Sequence, residues 1–163
     1  MTEIIIEKPT SSDLTEIRKI LAQWTDKDEV LKYVTRIENE ILGKIEFNTH
    51  YWVAKEAGVP VGVVGLCDPL PQVLPFAKTG RPGKFKILYV ATEHQKKGIG
   101  KKLVDFLENE ARKEGYTEVL ARSAERYRDT AYDFYERMGY EKVGMVYAGE
   151  VRSRPMQVFR KAL

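Results

Sequence analysis

An apolar run, Phe85-Lys86-Ile87-Leu88-Tyr89-Val90-Ala91, is followed by a segment with Ile99, Leu103, Leu107 and Ala111 at four-residue spacing. Between them lies Gln95-Lys96-Lys97-Gly98-Ile99-Gly100-Lys101. The run reads as a strand and the spacing as one face of a helix, with Phe106 beside it, so the chain must pass from strand to helix through a glycine-bearing turn. The first turn of a helix has N–H groups without intrahelical partners and the positive end of the macrodipole, so an anion placed there gains hydrogen bonds and a favourable field. Gly98 and Gly100 remove side chains that would hold a pyrophosphate away from those amides, and Lys96, Lys97, Lys101 and Lys102 surround the turn with positive charge. The plainer alternative is a glycine-softened helix start with a solvated basic rim.

Two phosphate loops are excluded by spacing. A Walker loop needs a glycine five positions before Gly100 and Ser or Thr after the lysine, where the chain has Gln95 and Lys102. A dinucleotide fingerprint needs a small residue where Leu103 stands and an acid at the end of the next strand, which closes on Leu120-Ala121-Arg122.

Gln95-x-x-Gly98-x-Gly100 after an apolar strand, with Ala131-x-x-Phe134-Tyr135-x-x-x-Gly139-Tyr140 about thirty residues later, resembles the GNAT superfamily of acyl-CoA-dependent N-acetyltransferases. The resemblance implies an α/β fold of the α+β type: a mixed, mostly antiparallel sheet with helices on both faces and a central splay between two parallel strands. It implies acetyl-CoA as co-substrate and direct attack on the thioester by a primary amine, a small molecule or a peptide, in a ternary complex. Main-chain groups of Leu88, Tyr89 and Val90 would lie along the pantetheine arm, with the Leu88 and Val90 side chains in the core. Gln95, Lys96, Lys97, Gly98, Ile99, Gly100 and Lys101 would hold the pyrophosphate.

Tyr135 stands where the family often places a general acid near the thioester sulfur, and a phenol with pKa near 10 stays neutral at pH 7. Arg128 replaces an asparagine common in the family, and its guanidinium is expected to reach a phosphate. Some members carry a glutamate base at the start of the strand before the turn; here that position is Lys84, so no carboxylate is inherited. Asp68, Glu46 and Glu150 are the remaining carboxylates to weigh, beside a water chain or an amine that arrives neutral. A non-catalytic acyl-CoA-binding module is the alternative, and a nucleotide or nucleic-acid binder a third reading.

At 163 residues, 43% hydrophobic and 31% charged, the chain is expected to form one domain over residues 1–163. A net charge of +3 is too mild to argue for nucleic acid, and Arg122, Arg126 and Arg128 read as a solvated helix entrance. Cys67, alone of its kind, reads as a small buried apolar residue, and His50 and His94 lack partners at metal-ligand spacing, so no metal is expected. His94 reads as a solvated loop residue. Met1-Thr2-Glu3 lacks a basic region and no segment has the apolar length of a membrane span, so a soluble, cytoplasmic protein is expected. Edge strands near the C-terminus leave a homodimer open.

The order expected along the chain is βααββ, β, α, β, α, ββ. Thr10-Ser11-Ser12-Asp13 caps a helix through Trp24, and Asp26 with Glu29 caps a second ending near Gly43. Gly58-Val59-Pro60 turns a hairpin in which Gly62 and Gly65 mark a bulge or a close neighbour. Asp68 through Lys84, with Pro69, Pro71, Pro75 and Pro82, reads as a long loop on the acceptor side of the cleft implied by the resemblance. Ala131, Phe134, Tyr135 and Met138 form one face of a helix stopped by Gly139.

Overall fold

The computed structural model describes residues 2–147 and 155–163. Its strands are β1 (Ile4–Glu7), β2 (His50–Glu56), β3 (Val59–Cys67), β4 (Pro82–Val90), β5 (Glu118–Ala124), β6 (Glu141–Tyr147) and β7 (Pro155–Ala162). The helices are α1 (Leu14–Trp24), α2 (Lys27–Ile41), α3 (Ile99–Lys113) and α4 (Asp133–Arg137). The sheet runs β1-β2-β3-β4-β5-β7-β6. Its β1–β2, β2–β3, β5–β7 and β6–β7 pairs are antiparallel, while β4 and β5 are parallel through Pro82↔Glu118, Gly83↔Val119 and Lys84↔Leu120. Both parallel strands run on past that ladder, β4 to Val90 and β5 to Ala124. The expected element order holds throughout.

The chain divides into two compact units, the division falling after Phe85 within β4 and after Leu107 within α3. The first comprises Met1–Cys67 and Lys86–Leu107. Alternation along its strands sends Tyr51, Val53, Val63 and Ile87 to one face, where they pack with Ile17, Leu21, Val30, Val34 and Ile37 of α1 and α2. The opposite face carries Trp52, whose ring meets Phe106 of α3 edge-on at 5.6 Å. A Cβ on Gly62 would stand 2.9 Å from Leu103 Cδ1 and 3.3 Å from the Tyr89 carbonyl oxygen, so the missing side chain is what lets α3 approach the strand. Gly65 likewise lies beneath the Tyr51 ring, 2.8 Å from where its Cβ would be. The bulge falls between Ala54 and Lys55, and the hairpin turns on Ala57 and Gly58, both at positive φ, so Val59 and Pro60 belong to β3 rather than to the turn. Asp13 accepts from the Thr10 amide at 2.8 Å and Asp26 from the Glu29 amide at 2.9 Å, the caps expected from sequence.

The second unit comprises Asp68–Phe85 and Glu108–Leu163. Asp68–Lys84 is a shorter loop than expected, because 3₁₀ residues Leu74–Phe76 interrupt it and β4 already begins at Pro82, a strand's first residue, where a missing amide is tolerated. Glu118, with no exposed surface, ties this excursion down: its carboxylate accepts from the Lys78 amide at 3.0 Å, from the Thr79 amide and hydroxyl, and from Arg160 Nε at 2.6 Å. Val73 packs with Leu120, Val146 and Val158, and Phe76 lies against that cluster. The other face of β5 and β7 is aromatic: Phe159 stacks on Tyr135 at 5.1 Å and meets Tyr132 edge-on at 5.4 Å.

Candidate active site

The turn after β4 is shaped by two residues in the left-handed region. Gln95 is extended, Lys96 has φ +62° and Gly98 φ +81°, left-handed conformations of the kind from which anion-binding nests are built. Lys102 N donates to the Gly98 carbonyl at 3.1 Å as the first α-helical bond of α3, and the amides of Ile99, Gly100 and Lys101 precede it without i−4 partners inside the helix. Nothing lies within 4 Å of a Cβ built on Gly98, so φ, rather than a protein neighbour, demands glycine there. Gln95 through Gly98 are exposed, whereas Ile99 is 1% exposed and anchors the helix start.

The lysine rim is partly committed. Lys101 pairs with Asp105 at 2.9 Å and Lys97 Nζ lies 3.3 Å from His94 Nδ1. His94 is also 3.3 Å from Glu56 and half-buried, so it is tied to β2 and is not a solvated loop residue; proximity of β2 in the fold has no mark in local sequence. Glu93 accepts from Gln23 at 3.0 and 3.1 Å, and its own amide, Gln23 and Thr92 hold its carboxyl below the usual range.

Leu88, Tyr89 and Val90 are half-buried, so the expectation that Leu88 and Val90 are core is corrected: the end of β4 is only partly covered. The Val90 carbonyl accepts from Trp24 Nε1 at 2.9 Å, which occupies one of its two lone pairs, and Trp24 stacks near Tyr89 at 6.4 Å. Trp24 was missed as a residue shaping this strand end because its helical spacing reads as core alone.

Tyr135 closes the second unit's aromatic cluster, 7% exposed, among Phe85, Phe134, Tyr140 and Phe159. Burial pushes its phenol above the ordinary value, so it holds its proton throughout the neutral range. The helix expected around it is irregular: a 3₁₀ turn at Glu125–Tyr127, a π turn at Arg128–Tyr132, then α4. Gly139, at φ +91°, ends α4, with the Tyr140 amide reaching back to the Tyr135 carbonyl at 3.0 Å. Arg128 opens the π turn, exposed and ion-paired with Glu125. Arg122 is not at a helix entrance but within β5, half-buried.

Among the carboxylates weighed as bases, Asp68 accepts from the Tyr116 hydroxyl at 2.6 Å, Glu46 is exposed, and Glu150 lies outside the described residues. Lys84 is buried, its Nζ donating to the Phe85 carbonyl at 2.7 Å.

The chain belongs to the GNAT acetyltransferase family: that family's model, an acetyltransferase (GNAT) domain, matches residues 47–142, more than half of the chain. Human N-acetyltransferase 8 is 35% identical over 94 residues, which cover 58% of this chain and 39% of that protein. The chain thus spans less than half the length of the curated relatives it matches. The crystal structure of a putative GNAT-family acetyltransferase from Desulfovibrio desulfuricans superimposes with a TM-score of 0.84 at 15% identity, covering 98% of this chain and 99% of that one. An aminoglycoside 6'-N-acetyltransferase complexed with coenzyme A gives 0.72 at 18% identity, covering 97% and 96%. No described helix is long and apolar enough to cross a membrane.

Proposed function

We propose that the chain is a single-domain N-acetyltransferase that passes the acetyl group of acetyl-CoA to a primary amine. The observation that carries this reading is the strand–nest–helix turn at Gln95–Lys101 in a chain of the GNAT family, supported by the coenzyme A bound to the aminoglycoside enzyme of like fold. The nest amides and the first-turn amides of α3 receive the diphosphate, with Lys96 and Lys102, which have no ion-pair partner among the described residues, adding charge. The main chain of Leu88, Tyr89 and Val90 takes the pantetheine arm, although the Val90 carbonyl offers only its second lone pair. Arg128 would have to leave Glu125 to reach a phosphate, so it contributes least.

Acetyl transfer needs the amine neutral at attack and a proton for the departing thiolate. Tyr135 supplies that proton, which its hydroxyl still holds at neutral pH, and takes one back from solvent as the attacking nitrogen gives up its own. With Lys84 in place of a carboxylate, the amine loses its proton to solvent or arrives neutral. Tyr135→Phe is therefore expected to lower kcat for CoA release by about a hundredfold, the lower end of acid–base contributions, with acetyl-CoA affinity unchanged. Wild-type rates retained in Tyr135→Phe would remove the tyrosine from the mechanism. The replaced base favours one other reading, a non-catalytic acyl-CoA sensor; tight acetyl-CoA binding without CoA release on any amine of a broad panel would select it.

A further inference from the structure

We propose that Arg122 recognises a carboxylate on the acceptor amine, a substrate class that rests on the transferase reading above. Along β5 the side chains of Glu118, Leu120 and Arg122 alternate onto one face. Leu120 belongs to the apolar cluster with Val73, Val146 and Val158, and Val158 is the register partner of Arg122. Arg122 therefore stands at the border of that cluster, toward the carboxyl end of the strand.

Among the described residues its guanidinium is held in place but has no counter-ion. Arg122 Nη1 donates to Gln72 Oε1 at 2.6 Å, and Gln72 Nε2 donates to the Tyr147 carbonyl at 2.5 Å, so the Gln72 amide is locked with its oxygen toward the arginine. A guanidinium has five N–H donors, and this is the one hydrogen bond it makes among the described residues. Arg160 in the same unit, which is buried, shows the contrast: it has Glu118 at 2.6 Å and Glu141 at 3.5 Å. Arg122 has no carboxylate within ion-pair distance among the described residues.

Half-burying a cation without a counter-ion costs stability, and a neutral amide offsets little of it. Such a group, oriented by a neighbour and left with an open fork, matches the two oxygens of a carboxylate. A phosphate is the poorer fit, because phosphate sites gather several cations and amides, whereas one guanidinium opposite Val158, at the border of an apolar cluster, suits a monoanion on an apolar body.

The test uses phenylalanine and phenylalaninamide, within a panel of amino acids and their carboxamides, as acceptors for wild type, Arg122→Gln and Arg122→Lys. Wild type is expected to favour the carboxylate form by about tenfold or more in kcat/KM, the scale of a hydrogen bond to a charged group. Arg122→Gln should erase that preference by slowing only the carboxylate acceptors, with the KM for acetyl-CoA unchanged, and Arg122→Lys should restore part of it. An equal loss on both forms, or a melting temperature lowered with the preference intact, would show that the arginine serves the fold and overturn the proposal. Titration of the same pair onto the CoA-loaded protein separates this idea from the one beneath it. Carboxylate-selective binding that Arg122→Gln abolishes, without transfer by wild type, keeps the site and removes the transferase; transfer without carboxylate preference removes the site alone.

Discussion

Tyr51 carries the one buried side-chain polar atom without a hydrogen-bond partner among the described residues, a hydroxyl on a ring with no exposed surface. An unpaired buried hydroxyl opposes folding by about 1–3 kcal/mol, so Tyr51→Phe, which keeps the ring over Gly65, should leave the melting temperature unchanged or raise it. A fall of several degrees would mean that the hydroxyl has a partner. Glu118 is the opposite case. Burial raises its carboxyl, but hydrogen bonds from Thr79, the Lys78 amide and Arg160 outweigh burial and leave its pKa lowered. A folded-state pKa below the unfolded one gives stability that is present above the unfolded value, near 4.5, and lost as pH falls through the folded value. Glu118→Gln should cost about 3 kcal/mol at pH 7, as breaking one side of a buried pair does, and should flatten the acid limb of the stability curve measured by denaturant titration.

Among the elements, the glycines divide by what each is for. A Cβ on Gly144 would run into the Phe76 ring, so Gly144→Ala must displace the excursion that Phe76 anchors on β6. A loss of about 2 kcal/mol, read by thermal melting, is expected from such overpacking, while Gly80→Ala, with nothing within 4 Å, should change little. These distinctions also mark what sequence could convey. The caps at Asp13 and Asp26, the strand–turn–helix at Gln95 and the stop at Gly139 were legible because each is written in neighbouring residues. The early start of β4 was hidden by Pro82 and Gly83, whose turn signal is overridden by the ladder to Glu118 and Val119. The π turn at Arg128–Tyr132 was hidden because helical spacing does not register one inserted residue. Half-burial of Leu88 and Val90, the Glu56 contact of His94 and the use of the Val90 carbonyl by Trp24 depend on partners distant in sequence, and no local pattern reports them.

For the molecule as a whole, four buried tyrosines set the alkaline limit. Burial raises the phenols of Tyr51, Tyr132, Tyr135 and Tyr140, the last also pushed up by Glu108, above the unfolded value of 10.0. Raised folded-state values keep their contribution intact below pH 10 and remove it above, as the unfolded chain ionises first, so unfolding in base should be cooperative and coincide with tyrosinate absorbance. Calorimetric titration of acetyl-CoA reads capture of the diphosphate at the turn after β4 without passing through the transfer step. Gly98→Asn, which tolerates positive φ, should bind as wild type does, whereas Gly98→Glu, which sets a charge against the diphosphate, should bind at least about a hundredfold more weakly, and pantetheine, which lacks the diphosphate, should not distinguish them. Equal affinity of wild type and Gly98→Glu for acetyl-CoA would contradict the account.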